Sequence, residues 1–320
     1  MSAVRVKVRG DVSAVYHCMS RVVGKQRLLG ALEKEVFRGM MWRLADFSGV
    51  EVLTYAVMDN HFHVLVRTPG AVEVSDGELV RRVEALYGPE RARALCCGLD
   101  GPGGEALRAG YLRLMGDVSA YIKALKQRFS IWYNRRYGRV GTLWSERFKS
   151  VLVESGGAAL RTVAAYIDLN GVRAGCCADP KDYRWSGYAE ALAGGVLARR
   201  GLRRVMEQGG RGWRRALWEY RVILYGKGSV PDARGRGVSA QAFAAERAGG
   251  GRMSVSEMLR FRVRYFTDGT VLGGQEFVER CFREHRDKFG AGRRSGARRM
   301  RGGSWGGLCT ARDLRRDVFG

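Results

Sequence analysis

The apolar run from Val50 to Val66 constrains the fold of this chain more than any other segment. The pair Asp59-Asn60 interrupts the run, and both residue types favour turns. Since β-branched and aromatic residues are frequent on either side, the run predicts two strands, Val50 to Met58 and His61 to Thr68, joined by that turn. The protein therefore contains a sheet, and the second of these strands carries two of the four histidines in the sequence.

The preceding segments extend this pattern to β-α-β-β. Residues Ala14 to Val23 are predicted to form a first strand. From Leu28 to Phe47 the apolar residues recur at helical spacing, which predicts a helix. Residues 69–110 are rich in glycine and glutamate and break the pattern, as expected of an insertion with short helices.

Later segments continue the alternation. An amphipathic helix with a basic flank is predicted from Asp117 to Tyr137. Thr142 to Glu154 is expected to be extended, and a further helix is predicted from Ala158 to about Val172. The first domain is expected to close near Leu197, so that it spans residues 1–197.

The rest of the chain is predicted to hold a linker with a helix, 198–238, and a basic region, 239–320. The glycines of 226–237 indicate the linker. The basic region is expected to be mainly helical, with helices at Met253 to Arg264 and Gln275 to His285, and to end in a mobile arm that adds affinity for DNA.

The formal net charge of +24 predicts a polyanionic partner. Most of the cationic residues are arginines, whose guanidinium groups bind phosphate oxygens in a forked geometry. Residues 201–320 contain 26 Lys and Arg against 12 Asp and Glu, a net +14, which leaves +10 for residues 1–200. The charge density is therefore higher toward the C-terminus.

The seven cysteines indicate a reducing compartment. Their number is odd and no CxxC pair occurs, which argues against both a disulfide framework and a thiolate zinc site. The sequence has no apolar run of bilayer length and no signal-peptide pattern at its N-terminus. We therefore expect a cytoplasmic protein without a membrane partner.

His61 and His63 are the candidate metal ligands. Residues at alternate positions of a strand point to the same face, so both imidazoles can bind one divalent cation. A catalytic ion needs at least one more protein ligand and an open position for a phosphate oxygen or water. A structural pair of hydrogen-bonded histidines is the alternative.

Five blocks of the sequence resemble, in order, motifs of the REP-associated tyrosine transposase family of HUH single-tyrosine transposases. The first contains Met58-Asp59-Asn60-His61-Phe62-His63, which is similar to the Met-Pro-Asn-His-aromatic-His motif of that family. The others are Tyr133 to Arg139, Gly141 to Ser150, Tyr166 to Gly175 and Asp182 to Tyr188. The similarity lies within roughly residues 12–192.

The resemblance implies an α+β fold with a ferredoxin-like or RRM-like antiparallel sheet and helices on one face. It also implies DNA transposition through cleavage and rejoining of single-stranded DNA at hairpin-forming repeats. In that chemistry the histidines and a polar third ligand bind Mg²⁺ or Mn²⁺, and a tyrosine hydroxyl attacks the phosphorus atom to form a 5′-phosphotyrosine link. The resemblance also admits a homodimer.

The sequence departs from the family at the nucleophile. The position that matches the catalytic tyrosine is Phe129, which has no hydroxyl group. Three tyrosines remain nearby: Tyr121 on the same predicted helix, Tyr133 one turn after Phe129, and Tyr137 at the helix end. Tyr133 and Tyr121 are the candidate nucleophiles.

The other expected site residues flank that helix. Asn134 is the candidate third metal ligand, with Gln127 as the second choice and an exposed amide on the helix surface as the alternative for either. Arg135, Arg136, Arg139, Arg147 and Lys149 are candidate DNA phosphate contacts, with surface ion pairing as the alternative. The helical residues Tyr166, Asn170 and Arg173 are assigned to packing.

Two further functions remain open for this sequence. One is a non-catalytic DNA-binding relative that has lost its nucleophile. The other is a metal-dependent phosphodiesterase that uses water and needs no tyrosine.

Overall fold

The structure, a computed structural model, describes residues 5–71, 73–207, 212–225, 255–314 and 318. Its strands are β1 Ala14–Arg21, β2 Glu51–Val57, β3 His61–Thr68, β4 Lys149–Val153, β5 Val271–Gly273, β6 Arg298–Arg299 and β7 Cys309–Thr310. Its α-helices are α1 Ala31–Ser48, α2 Asp76–Tyr87, α3 Pro89–Leu99, α4 Gly104–Leu112, α5 Val118–Tyr137, α6 Gly157–Asp168, α7 Asn170–Arg173, α8 Gly187–Leu192, α9 Val196–Val205, α10 Trp213–Tyr225, α11 Val255–Met258, α12 Tyr265–Asp268 and α13 Gln275–Glu284.

The predicted α+β class is confirmed, and so is the β-α-β-β opening, which corresponds to β1, α1, β2 and β3. The segment 69–110, expected to be an insertion with short helices, contains α2, α3 and most of α4. The predicted helix from Asp117 to Tyr137 is α5, which begins at the N-cap Asp117 and ends before Gly138 in a left-handed conformation. The predicted linker at 226–237 lies outside the described residues.

The strands form one mixed sheet in the order β2-β3-β1-β4-β5-β7-β6. All neighbouring pairs are antiparallel except β4 and β5, which are parallel. Strands β5 to β7 come from residues for which the sequence predicted a separate, mainly helical region. They cover the free edge of β4, because Leu152 and Glu154 donate backbone hydrogen bonds to Thr270 and Leu272.

Helices pack on both faces of the sheet, which corrects the expectation of helices on one face. Helices α1 and α5 cover the side chains of Tyr16, Phe62 and Val64, and we call this side the α5 face. Helices α6, α9 and α10 lie over the other side, the α6 face, whose apolar residues include Val15 and Leu65. Strand residues alternate between the faces because a strand has a side-chain period of two.

The described helices include none with the length and apolar character needed to cross a bilayer.

Candidate functional site

His61 and His63 lie at alternate positions of β3, and both belong to the α6 face. The antiparallel register places Arg21 of β1 opposite His61 and Met19 opposite His63. Two residues before Met19 on β1, His17 lies opposite Leu65 and therefore also on the α6 face. The sheet thus brings together three of the four histidines, which we call the histidine site.

Hydrogen bonds engage the Nδ1 atom of each β3 histidine. His63 Nδ1 lies 2.8 Å from His17 Nε2, and His17 Nδ1 lies 2.7 Å from the carbonyl oxygen of Phe266 in α12. His61 Nδ1 lies 2.7 Å from Asn60 Oδ1, while the Asn60 Nδ2 group donates to the carbonyl oxygen of Lys25 at 3.0 Å. The Nε2 atoms of His61 and His63 are thus available to bind a ligand.

The spacing of the two β3 imidazoles fits a shared metal ion. Two imidazoles that bind one ion at about 2.1 Å, with about 90–110° between the bonds, hold their ring centroids about 4.5–5.2 Å apart. The His61 and His63 centroids are 5.1 Å apart and the ring planes are at 85°. His61 remains partly exposed, whereas His63 is only 3% exposed. A ligand would therefore reach the two imidazoles from the His61 side.

Burial and nearby cations keep these histidines neutral, which is the form that binds metals. Burial lowers the pKa of His17 to about 4, with a further lowering by Arg173. Burial, Arg21, Arg173 and Arg262 lower the pKa of His61 to about 3. The pKa of His63 is also held well below its usual value, chiefly by burial.

Three guanidinium groups make the histidine site electropositive. Arg21, Arg173 and Arg262 each lower the pKa of His61, so all three lie within electrostatic reach of its ring. The Nε atom of Arg21 is buried without a hydrogen-bond partner among the described residues. A buried donor without a partner costs about 1–3 kcal/mol, which an anionic ligand such as a phosphate oxygen would recover.

Arg173 is fixed in place by the backbone. Its guanidinium group donates to the carbonyl oxygens of Leu259 at 2.8 Å and Tyr166 at 2.7 Å and stacks 3.9 Å from the centroid of the Tyr166 ring. The Tyr166 ring centroid in turn lies 6.1 Å from that of His63. Tyr166 and Arg173 were expected to be packing residues. The structure confirms that role and also places them beside the histidines.

Among the described residues, no carboxylate joins the β3 histidines as a third metal ligand. In the part of the chain that the structure describes, no three His, Cys, Asp or Glu side chains form a group suited to a metal ion. Asp59, in the preceding turn, is paired with Lys34 at 2.6 Å. A metal ion at His61 and His63 would therefore take its other ligands from water or from a substrate phosphate.

The predicted nucleophiles lie across the sheet from the histidines. Tyr121 and Tyr133 point from α5 into the apolar layer of the α5 face, together with Phe129. The Tyr121 hydroxyl donates to the carbonyl oxygen of Met41 at 3.1 Å, and burial raises its pKa far above the usual value. Within one chain, the sheet separates both hydroxyl groups from the histidine site.

Asn134 is likewise not brought to the histidines. It lies in the last turn of α5, where its Nδ2 group donates to the carbonyl oxygen of Gly141 at 2.9 Å. Its Oδ1 atom is buried and has no hydrogen-bond partner within the described chain. Within one chain, this side chain does not complete the metal site with His61 and His63.

The predicted phosphate contacts lie at the C-terminal end of α5 and around the start of β4. Arg135 and Arg136 are exposed at the C-terminal end of α5, and Arg139 is partly exposed beyond it. Arg147 is exposed just before β4. Lys149 shares the α6 face with the histidines, since it lies opposite Met19, but it forms an ion pair with Asp268 at 3.0 Å.

Sequence reasoning missed His17, Arg21 and Arg262. Pairing between the first and third predicted strands could have revealed His17 and Arg21, because it places both residues of β1 beside the β3 histidines. Arg262 comes from a segment about 200 residues further along the chain, and no local sequence pattern links it to β3.

Comparisons with known proteins find no matching family model and no matching curated protein. Among solved structures, one match is the structure of the REP-associated tyrosine transposase bound to a REP hairpin. Its TM-score is 0.41 at 15% sequence identity, over 61% of this chain and 88% of that chain. A similarity at this level does not assign a function.

Proposed function

We propose that this chain binds single-stranded or hairpin DNA at the histidine site and cleaves a phosphodiester bond there with the help of a divalent cation. The observation that carries the proposal is the pair of available imidazole Nε2 atoms among three guanidinium groups. Neutral imidazoles bind a metal ion, and arginine side chains bind phosphate oxygens. The net charge of +24 favours a polyanion such as DNA.

His61 and His63 would hold the cation through Nε2. Of the two predicted ions, Mn²⁺ suits this donor set better, because Mg²⁺ prefers oxygen ligands and both protein donors here are nitrogen atoms. When bound, such a cation polarises the scissile phosphate and lowers the pKa of bound water. Arg21, Arg173 and Arg262 would orient the phosphate group and offset its negative charge.

Water fits this geometry as the attacking group better than either predicted tyrosine, because Tyr121 and Tyr133 lie beneath the opposite face of the sheet. Attack by water breaks one P–O ester bond, forms one new P–O bond and protonates the leaving oxygen. Transposition through a phosphotyrosine link would require a tyrosine hydroxyl group at the α6 face.

DNA binding without cleavage is the second candidate function. The observation that favours it is Phe129 at the position where the resembling family has its catalytic tyrosine, combined with the burial of Tyr121. In that case the histidine site would serve only to hold a phosphate group.

An end-labelled hairpin oligonucleotide incubated with the protein and Mn²⁺ separates these functions on a denaturing gel. Cleavage without a covalent adduct, lost in His61→Ala and His63→Ala and retained in His285→Ala, supports the proposal. Binding without cleavage supports the second candidate. A covalent adduct that disappears in Tyr133→Phe or Tyr121→Phe would support transposase chemistry and contradict attack by water.

A further inference from the structure

We propose that His17 is a positioning residue that sets the tautomer of His63 and thereby keeps His63 Nε2 available for a cation. The inference deepens the proposed function and rests on it. It also makes the segment that carries Phe266 part of the site, because the backbone of that segment fixes the hydrogen-bond polarity at His17.

The Phe266 carbonyl oxygen can only accept a hydrogen bond. His17 Nδ1 lies 2.7 Å from this oxygen, so Nδ1 must carry the proton. His17 is 2% exposed and its two hydrogen-bond neighbours are a carbonyl oxygen and an imidazole, neither of which is a carboxylate, so an imidazolium cation buried there would be costly. The ring is therefore neutral, and its Nε2 atom has a lone pair that accepts a hydrogen bond. The neighbouring atom at 2.8 Å, His63 Nδ1, must therefore be the donor.

His63 Nε2 therefore carries no proton. A neutral imidazole carries one proton, and in His63 that proton lies on Nδ1, where it binds His17. Metal-bound histidines commonly donate their other N–H group to an acceptor that fixes the ring and its tautomer. His17 is that acceptor for His63, and Asn60 Oδ1 has the same role for His61.

Burial makes the alternative tautomers costly. His17 and His63 are 2% and 3% exposed, so solvent offers little replacement for a lost partner. A proton on His63 Nε2 would place two lone pairs opposite each other across the 2.8 Å contact. A proton on His17 Nε2 instead of Nδ1 would place two N–H groups there and would deprive the Phe266 carbonyl oxygen of its donor.

The first test needs no variant and no metal ion. In the intact, metal-free protein, two-dimensional ¹H–¹⁵N spectra of the imidazole rings assign the tautomer of each of the four histidines. We expect the Nδ1–H tautomer for His17, His61 and His63. The Nε2–H tautomer at His63 would overturn the inference.

The second test measures Mn²⁺ affinity by calorimetry in His17→Phe and His17→Gln. The first variant removes the acceptor, and we expect affinity to fall about 10- to 100-fold, with His63 shifting to the Nε2–H tautomer. Gln retains an acceptor oxygen near the Nε2 position and should keep the Nδ1–H tautomer of His63. The His61 tautomer, held by Asn60, serves as an internal control in the same spectra.

The outcomes distinguish this inference from the proposed function. Equal Mn²⁺ affinity in wild type and a folded His17→Phe variant would overturn the role of His17 but leave the cation at His61 and His63 intact. If the tautomers are as expected but the wild type binds no Mn²⁺, the proposed cation at His61 and His63 is overturned. That result would support only the hydrogen-bond polarity that His17 imposes.

Discussion

Replacement of Arg262 by glutamine should weaken DNA binding specifically at the histidine site. Arg262 is exposed and lowers the pKa of His61, so its charge reaches the site without being part of the apolar core. Arg173 is less suitable for this test because its guanidinium group is bonded to two backbone carbonyl groups.

The size of the effect follows from the loss of one phosphate contact. A charge-assisted hydrogen bond contributes about 1.5 kcal/mol at the lower end of its range, so affinity should fall about 10-fold. Each phosphate contact contributes about 0.7 to the slope of log affinity against log salt for single strands, and the slope should become shallower by that amount.

Fluorescence anisotropy with a labelled oligonucleotide between 50 and 200 mM salt is a suitable assay. Arg93→Gln is the matched control, since it removes the same charge from an exposed position in the inserted helix α3. If Arg262→Gln and Arg93→Gln weaken binding equally, DNA is attracted by the total charge of the protein, and the reasoning from the histidine site is refuted.

Three further predictions concern buried groups. Burial raises the pKa of Asp168 to about 7, although Thr54 and Tyr220 donate hydrogen bonds to its carboxyl group. The native state therefore binds a proton at Asp168 more tightly than the unfolded state does. As the pH rises from about 4 to about 7, this group lowers the free energy of unfolding by at most about 4 kcal/mol. Urea unfolding at several pH values should show this fall in the wild type relative to Asp168→Asn, and identical pH profiles would contradict it. Tyr133→Phe should leave DNA cleavage in Mn²⁺ unchanged, because its ring lies under the α5 face; a large rate loss measured on gels would contradict the separation by the sheet. Phe129→Tyr should not create a covalent DNA adduct and should cost about 1–3 kcal/mol of unfolding free energy, because it buries a hydroxyl group at a position that is 0% exposed; adduct formation by this variant would contradict the fold assignment.

Several strands and helices of the first 200 residues follow from local sequence signals. The two strands on either side of Asp59-Asn60 and the long helix that ends before Gly138 were predicted close to their observed bounds. Strands β5, β6 and β7 were not predicted, because each has only two or three residues and cannot display an alternating pattern. Their pairing depends on contacts with distant segments.

The site was only partly predictable for a similar reason. His61 and His63 share a face because of strand geometry alone, which the sequence reveals. His17 and Arg21 join them through the register of β1 with β3, and that register is a tertiary property. Tyr121 and Tyr133 were attractive as nucleophiles because they lie near the Phe129 stripe, but that apolar stripe is the side of α5 that packs against the sheet.

The most direct test of the account is calorimetric titration of Mn²⁺ into the metal-free protein, with and without a single-stranded oligonucleotide. We expect one ion per chain, with an affinity that rises when the oligonucleotide is bound, because a phosphate oxygen would supply a ligand that the described residues do not provide. His61→Ala and His63→Ala should abolish this binding, and His285→Ala should not. Wild-type affinity in the first two variants would contradict a cation held by the β3 histidines.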